Sequence, residues 1–282
     1  YMNFNNKVVY PTGSPRLHTA FWLTFQQPEQ KKTWDYLRWL DMQTGLIAST
    51  WANERGVYRT ESFAAYDGDV TVTRFSAPAG QLDVDVTLQL PNRPIQYGNH
   101  FMEQKFTGST HELTITDQLI TLAWAYNPDF GHKGYVSAIR FLPVNGSIVK
   151  KEKGVSVRGA DGMMVLTKTV KFEDGFTFEC ARQVGDALLA MKPDFDALLK
   201  GNEAHIGERM DRSRIHLGKP EDAVLSGEEL LERTHSVNEL DPTLLDKLYD
   251  MGRFFQIYDT GALPPMMGQH NINTNLQVCA GN

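Results

Sequence analysis

Leu82-Asp83-Val84-Asp85-Val86-Thr87-Leu88-Gln89-Leu90 alternates apolar and polar side chains without a slip and is closed by Pro91. Successive side chains of a strand point to opposite faces, so this run is a strand with one face in a core and the other in water. Val70-Thr71-Val72, Leu113-Thr114-Ile115, Val136 to Phe141 and Val155-Ser156-Val157 repeat the pattern more briefly. Turn formers separate the runs: Gly45, Gly68, Pro78 to Gly80, Gly108, Asn145-Gly146, Asp161-Gly162 and Asp174-Gly175. Strands joined by turns rather than helices predict antiparallel sheets and a β-sandwich.

Near Gly185 the period changes. Ala187, Leu188, Met191, Phe195, Leu198 and Leu199 recur at helical spacings, and Pro193 limits the first helix. From Gly201 to Leu240 the chain is charged and broken by Gly207, Gly218, Pro220 and Gly227, with Ser226-Gly227-Glu228-Glu229 reading as a helix start. The clearest helix runs from Asp241 to Tyr258, because Asp241 can cap free amides and Pro242 fits the first helical position. Its apolar face, Leu244, Leu245, Leu248, Met251, Gly252, Phe255 and Ile257, needs a large partner. The expected organisation is a β-sandwich over 1–184, a helical linker over 185–240, and over 241–282 the first helix and loop of a second domain. Both ends read as cuts within folded segments, so a fragment is expected.

Length and charge narrow the function. The 282 residues can build a core, and 28 basic against 34 acidic residues leave a net charge of −6. That charge is opposite to the footprint of a phosphate-backbone binder, so nucleic acid is excluded as a partner. No apolar run approaches the roughly 18 residues of a membrane span. Two cysteines, Cys180 and Cys279, exclude a disulfide scaffold and a four-cysteine metal site, while a single disulfide stays open. The eight histidines are scattered, so neither a metal nor a cofactor is expected.

Aromatics make up 11% of the chain, densest in Trp34-Asp35-Tyr36-Leu37-Arg38-Trp39. Such rings can stack on sugars, but aromatics are also favoured strand residues, and the preferred reading is a packed strand pair. In the last fourteen residues Asn271, Asn273 and Asn275 recur at period two, so an extended segment would present three amides to one side. A solvated loop is the competing reading.

Leu263-Pro264-Pro265-Met266-Met267-Gly268-Gln269 followed by Asn273-Thr274-Asn275-Leu276-Gln277 resembles the LPxxLQG and NxNLQ stretch of glycoside hydrolase family 95. Met251-Gly252-Arg253-Phe254-Phe255 resembles that family's GRY helix end, and Tyr36-Leu37-Arg38-Trp39-Leu40-Asp41 its YxRxLDL strand. Gly56 to Ala64 resembles the strand that follows, Gly154 to Asp161 its VxGAD turn, and Arg214-Ile215-His216-Leu217-Gly218 its RVxLxLG linker. After Gln277 the run Val278 to Asn282 departs from the family's MNYWPAE-like pattern, which leaves room for a galactosidase.

The resemblance implies a sandwich, a helical linker and the start of an (α/α)6 catalytic barrel. It implies an inverting exo-glycosidase that removes terminal α-L-fucose or α-L-galactose from an oligosaccharide or polysaccharide. In that family two Asn amides hold the attacking water, an Asp activates it and a Glu is the general acid. Asn273 and Asn275 match the paired Asn, and His270, Asn271 and Gln277 are candidate sugar contacts. The Asp and Glu fall beyond residue 282, and Asp246, Asp250 and Asp259 read as exposed or capping residues of the helix. A secreted or periplasmic site is expected for such an enzyme. Two alternatives remain: a non-catalytic β-sandwich that binds glycans or supports a partner, and another (α/α)6-barrel enzyme such as a disaccharide phosphorylase or hydrolase.

Overall fold

A computed structural model describes residues 19–28, 32–91, 107–237 and 239–259. Twelve strands form two antiparallel sheets among the described residues. They are β1 (Trp22–Gln26), β2 (Trp34–Asp41), β3 (Leu46–Asn53), β4 (Gly56–Ala65), β5 (Val70–Ser76), β6 (Leu82–Gln89), β7 (Thr110–Ile115), β8 (Leu119–Ala125), β9 (Gly134–Val144), β10 (Ser147–Lys151), β11 (Gly154–Ala160) and β12 (Gly162–Phe172). The smaller sheet has the order β1-β6-β11-β10 and the larger β2-β3-β4-β5-β12-β9-β8-β7. The predicted sandwich is therefore present.

Strand β6 behaves as its sequence requires. Leu82, Val84, Val86 and Leu88 are buried while the residues between them are partly exposed. It pairs with β1 on one side and β11 on the other, Val86 standing opposite both Phe25 and Val155. Its apolar face meets Phe75, Ile115, Ile120, Ile139, Phe141, Met163 and Val165 of the larger sheet in one continuous core. A second cluster of Leu122, Trp124, Tyr126 and Tyr135 closes one end, with the Tyr135 hydroxyl donating to the carbonyl of Ala20 at 2.8 Å. Burial pushes the Tyr126 phenol up to about 12 and raises that of Tyr135 further, since a buried phenolate loses its hydration.

Three local expectations change. Strand β9 is not half wet: Gly134 to Ile139 are all buried. One of its faces looks into the sandwich, and the other is covered by helix α1 (Cys180–Ala190). Arg140 fastens that helix by donating to the carbonyls of Leu188 at 3.2 Å and Met191 at 2.8 Å, acceptors that a helix end leaves free. The helix begins at Cys180, ahead of the periodic signal, because Cys180 and Val184 are already buried. Gly162 is a strand residue rather than a turn glycine, and a Cβ there would lie 2.7 Å from the Phe75 carbonyl oxygen. Asn145-Gly146 is the predicted hairpin turn, both residues taking positive φ (55° and 68°).

The packed-pair reading of Trp34 to Trp39 also fails in part. Among the described residues strand β2 is the outer strand of the larger sheet, and Trp34 to Arg38 are exposed.

The chain divides into two compact units. The first holds residues 1–38, 49–62 and 69–193, hence most of both sheets and α1. The second holds residues 39–48, 63–68 and 194–282. Its described helices are α2 (Phe195–Asn202), a π-helical turn (Glu203–Gly207), α3 (Glu208–Asp211), α4 (Gly227–Val237) and α5 (Pro242–Asp259). Asn202, fully buried, ties this unit together: its amide donates to the carbonyls of Thr44 and Ala64, each at 2.9 Å, and accepts from the Tyr66 backbone N–H at 2.7 Å. Ile206, Met210, Phe254 and Ile257 form its apolar centre with Leu40 and Met42.

Candidate functional site

The residues expected to carry chemistry, Asn273 and Asn275, and the expected sugar contacts His270, Asn271 and Gln277 lie outside the described residues. What the structure describes is the helix that leads to them.

Helix α5 begins as the sequence predicts. Asp241 accepts from the backbone N–H groups of Thr243 at 2.8 Å and Leu244 at 3.1 Å, which satisfies free donors of the first turn. The same carboxylate takes the Nε of Arg233 in α4, and Arg233 also reaches Asp222 at 3.0 Å. The Arg233 guanidinium, and behind it the two amides, hold the Asp241 carboxyl below the usual carboxylate range; the two carboxylates in turn hold Arg233 above its ordinary value. Helix α4 carries its own reciprocal cap, Ser226 Oγ accepting from Glu229 N at 3.1 Å and Glu229 Oε2 from Ser226 N at 2.7 Å.

The acidic residue facing the linker from α5 is spent on the fold. Asp246 accepts from Leu217 N at 2.9 Å and from Gly218 N at 3.0 Å, so it anchors the linker. Gly218 must be glycine for this approach, since a Cβ would sit 2.1 Å from Thr243 Oγ1. Lys247 donates to the Leu225 carbonyl at 2.6 Å, Tyr249 shares a hydrogen bond with Ser213 at 2.7 Å, and Arg253 donates to the Arg209 carbonyl at 2.8 Å. These bonds fix the helix along its length. Its apolar face splits in two: Leu244, Phe254 and Ile257 are buried, whereas Leu248, Met251 and Phe255 are 41–47% exposed.

One charged cluster has no counterpart in the sequence reading. Glu61 of β4 is 2% exposed and pairs with Arg59 at 2.6 Å and Arg74 of β5 at 2.7 Å. Ser62 and Thr73 share a hydrogen bond at 2.6 Å next to it. Both carboxylate oxygens are taken by guanidinium groups, so Glu61 holds two strands together rather than serving as an acid or base. The signal in the sequence was Arg59 two positions before Glu61, on the same face of a strand. The motif residues Gly159 and Asp161 are likewise structural: Gly159 N donates to Asp83 at 2.8 Å, and Asp161 accepts from Gly80 N at 2.7 Å and from Asn145.

Among the described residues no three His, Cys, Asp or Glu side chains come together as a metal site, and no helix is long and apolar enough to cross a membrane.

No curated protein matches the chain. Among solved structures it is similar to a candidate kojibiose phosphorylase from the human microbiome, with 13% identity and a TM-score of 0.46 over 71% of this chain and 27% of that one. It is also similar to a family GH92 alpha-mannosidase from Bacteroides thetaiotaomicron, with 13% identity and a TM-score of 0.33 over 60% and 24% of the two chains. The chain thus spans about a quarter of the length of these proteins. Residues 3–172 match the model of the glycosyl hydrolase family 65 N-terminal domain, and this covers the sandwich. The family named is 65, not 95; the paired-Asn motif that resembles family 95 lies beyond residue 172. By that match the chain belongs to glycosyl hydrolase family 65, residues 3–172 being that family's N-terminal domain.

Proposed function

We propose that this chain is the sandwich and lead-in helix of an exo-acting enzyme that cleaves terminal glycosidic bonds with inversion. The observation that carries the reading is the family match over residues 3–172. Helix α5 supports it: capped, pinned along its length and left with an apolar stripe uncovered among the described residues, it suits the first helix of a barrel. Asn273 and Asn275 are then the groups that orient the attacking water. An amide oxygen accepts a hydrogen bond and fixes the direction of a lone pair but has almost no basicity, so a carboxylate must polarise the pair. Inversion leaves room for that water between the catalytic groups, roughly 6.5–9.5 Å apart.

The finer reading is release of α-L-fucose or α-L-galactose by an exported enzyme. It rests on the resemblance of residues 263–277. A second reading is cleavage of a disaccharide by water or phosphate; the family 65 match accords with a glycoside-cleaving enzyme and names no sugar. The complete protein distinguishes them when offered 2′-fucosyllactose, an α-L-galactoside and kojibiose, each with and without phosphate, with the anomer of the product followed by NMR. Release of fucose independent of phosphate supports the first; glucose 1-phosphate formed only with phosphate supports the second. Absence of cleavage of all three, or a retained anomer, overturns the proposal.

A further inference from the structure

Asn145-Gly146 is the one Asn-Gly pair in the chain. It joins β9 to β10, with both residues exposed and both at positive φ. In such a pair the backbone nitrogen of the glycine is placed to attack the side-chain carbonyl carbon of the asparagine, because no glycine side chain shields it. Asparagine is one of the thermally labile residues of proteins.

Two contacts oppose that attack. The Asn145 Nδ2 donates to Oδ2 of Asp161 at 2.5 Å, which ties the amide to the turn between β11 and β12. Gly146 is wedged against β11: a Cβ there would lie 2.5 Å from the Arg158 carbonyl oxygen and 2.6 Å from the Ala160 nitrogen. Asp161 is itself fixed. Its Oδ1 accepts from Gly80 N at 2.7 Å, its N–H donates to the Val144 carbonyl at 2.9 Å, and its carbonyl accepts from Ala77 N at 3.0 Å. The Asn145 amide, and after it the Gly80 N–H, hold the Asp161 carboxyl below its ordinary value, so the acceptor stays charged at neutral pH. A carboxylate at that place also disfavours the negative oxygen that develops on Asn145 during attack.

We infer that Asn145 is a latent deamidation site and that Asp161 is the group that keeps it closed. In the reaction the Gly146 nitrogen gives up its proton and bonds to Cγ of Asn145; the Cγ–Nδ2 bond breaks, and Nδ2 leaves with a proton as ammonia. Water then adds across either C–N bond of the cyclic imide and leaves aspartate or isoaspartate at 145. Water is consumed, ammonia is released, and nothing is oxidised or reduced. The product sets a second carboxylate against Asp161, where the donated hydrogen bond is gone and like charges repel. One conversion therefore loosens the connections that Asp161 ties together, Ala77 to Gly80 and Val144 to Asn145.

Peptide mapping by mass spectrometry, after timed incubation of the complete protein at mildly alkaline pH, tests this. A free peptide of residues 142–150 gives the unrestrained rate. The folded protein should convert Asn145 about tenfold more slowly than the peptide or less, since small misplacements of reacting atoms carry penalties of that size. Asp161→Ala should raise the rate in the protein by about fivefold or more, with thermal melting to establish that the variant is folded. Asp161→Asn keeps an acceptor for the Asn145 amide and should stay within about twofold of the wild type. Conversion of wild-type protein as fast as that of the peptide overturns the inference, and this comparison stands even where the Ala variant does not fold. So does a folded Asp161→Ala variant no faster than wild type, or an Asp161→Asn variant as fast as the Ala one, since the hydrogen bond would then guard nothing.

Discussion

Arg74 places its Nη2 2.7 Å from Oε2 of Glu61, joining β5 to β4 through a carboxylate whose own side chain is only 3% exposed. Arg59 takes the other oxygen, and the two arginine side chains remain 42% and 34% exposed. The charge is thus buried on one side of the pair and hydrated on the other. Loss of the carboxylate leaves two guanidinium groups that water can partly serve.

Glu61→Gln should therefore lower stability by about 2–3 kcal/mol, below the full cost of breaking a deeply buried pair. Urea unfolding of the variant checks it; an unchanged midpoint would show that the cluster contributes nothing net.

Asn202→Ala should cost about 2–4 kcal/mol, because the Tyr66 N–H and the carbonyls of Thr44 and Ala64 lose their partner in a dry site. Hydrogen exchange reads this locally: protection at Tyr66 should fall before that of the β6 amides.

Acid should destabilise the protein through four carboxyls held below their ordinary values. Asp85 is lowered by the Ser156 hydroxyl and Arg158, Asp161 by the Asn145 amide and Gly80 N–H, Glu229 by Ser226, and Asp241 by Arg233. Each binds its proton less readily when folded, so its contribution is present above the unfolded value near 4 and is lost as pH falls below it. The urea midpoint should drop between about pH 5 and pH 2, and Asp241→Asn, which keeps a capping oxygen but no charge, should flatten that drop.

Alkali acts through Tyr126 and Tyr135. Both phenols are raised when folded, so the stability they contribute is complete below about pH 10, the ordinary tyrosine value, and is lost above it. Spectrophotometric titration should show two tyrosines that ionise only as the fold opens. Smooth ionisation of all ten with the fold intact would contradict their burial.

On the proposed mechanism, Asn273→Ala and Asn275→Ala in the complete protein should reduce kcat by about 100-fold or more with a much smaller change in KM, since each would misplace the attacking water. Equal losses in both constants would indicate substrate binding alone.

The alternation of Leu82 to Leu90, the turn at Asn145-Gly146, the reciprocal cap at Ser226 and Glu229 and the Asp241-Pro242 helix start were all legible, and each is found where the residues place it. These features depend on neighbours a few positions apart, so periodicity and capping chemistry are enough to determine them. Helix α5, which precedes the candidate site residues in the sequence, was legible in the same way; those residues themselves lie outside the described ones.

What tertiary structure alone decided is which faces are covered. Val136 to Phe141 read as half wet until α1 was seen lying across β9. Trp34 and Tyr36 read as packed until β2 proved to be the outer described strand of its sheet. Glu61 has Arg59 two positions away on its own strand, but Arg74 lies 13 residues off, and the Leu217 and Gly218 amides lie 29 and 28 residues from Asp246, so these pairings leave no local mark. Burial and pairing of this kind arise from chain segments brought together by folding, and periodicity along one strand or helix holds no record of what packs against it.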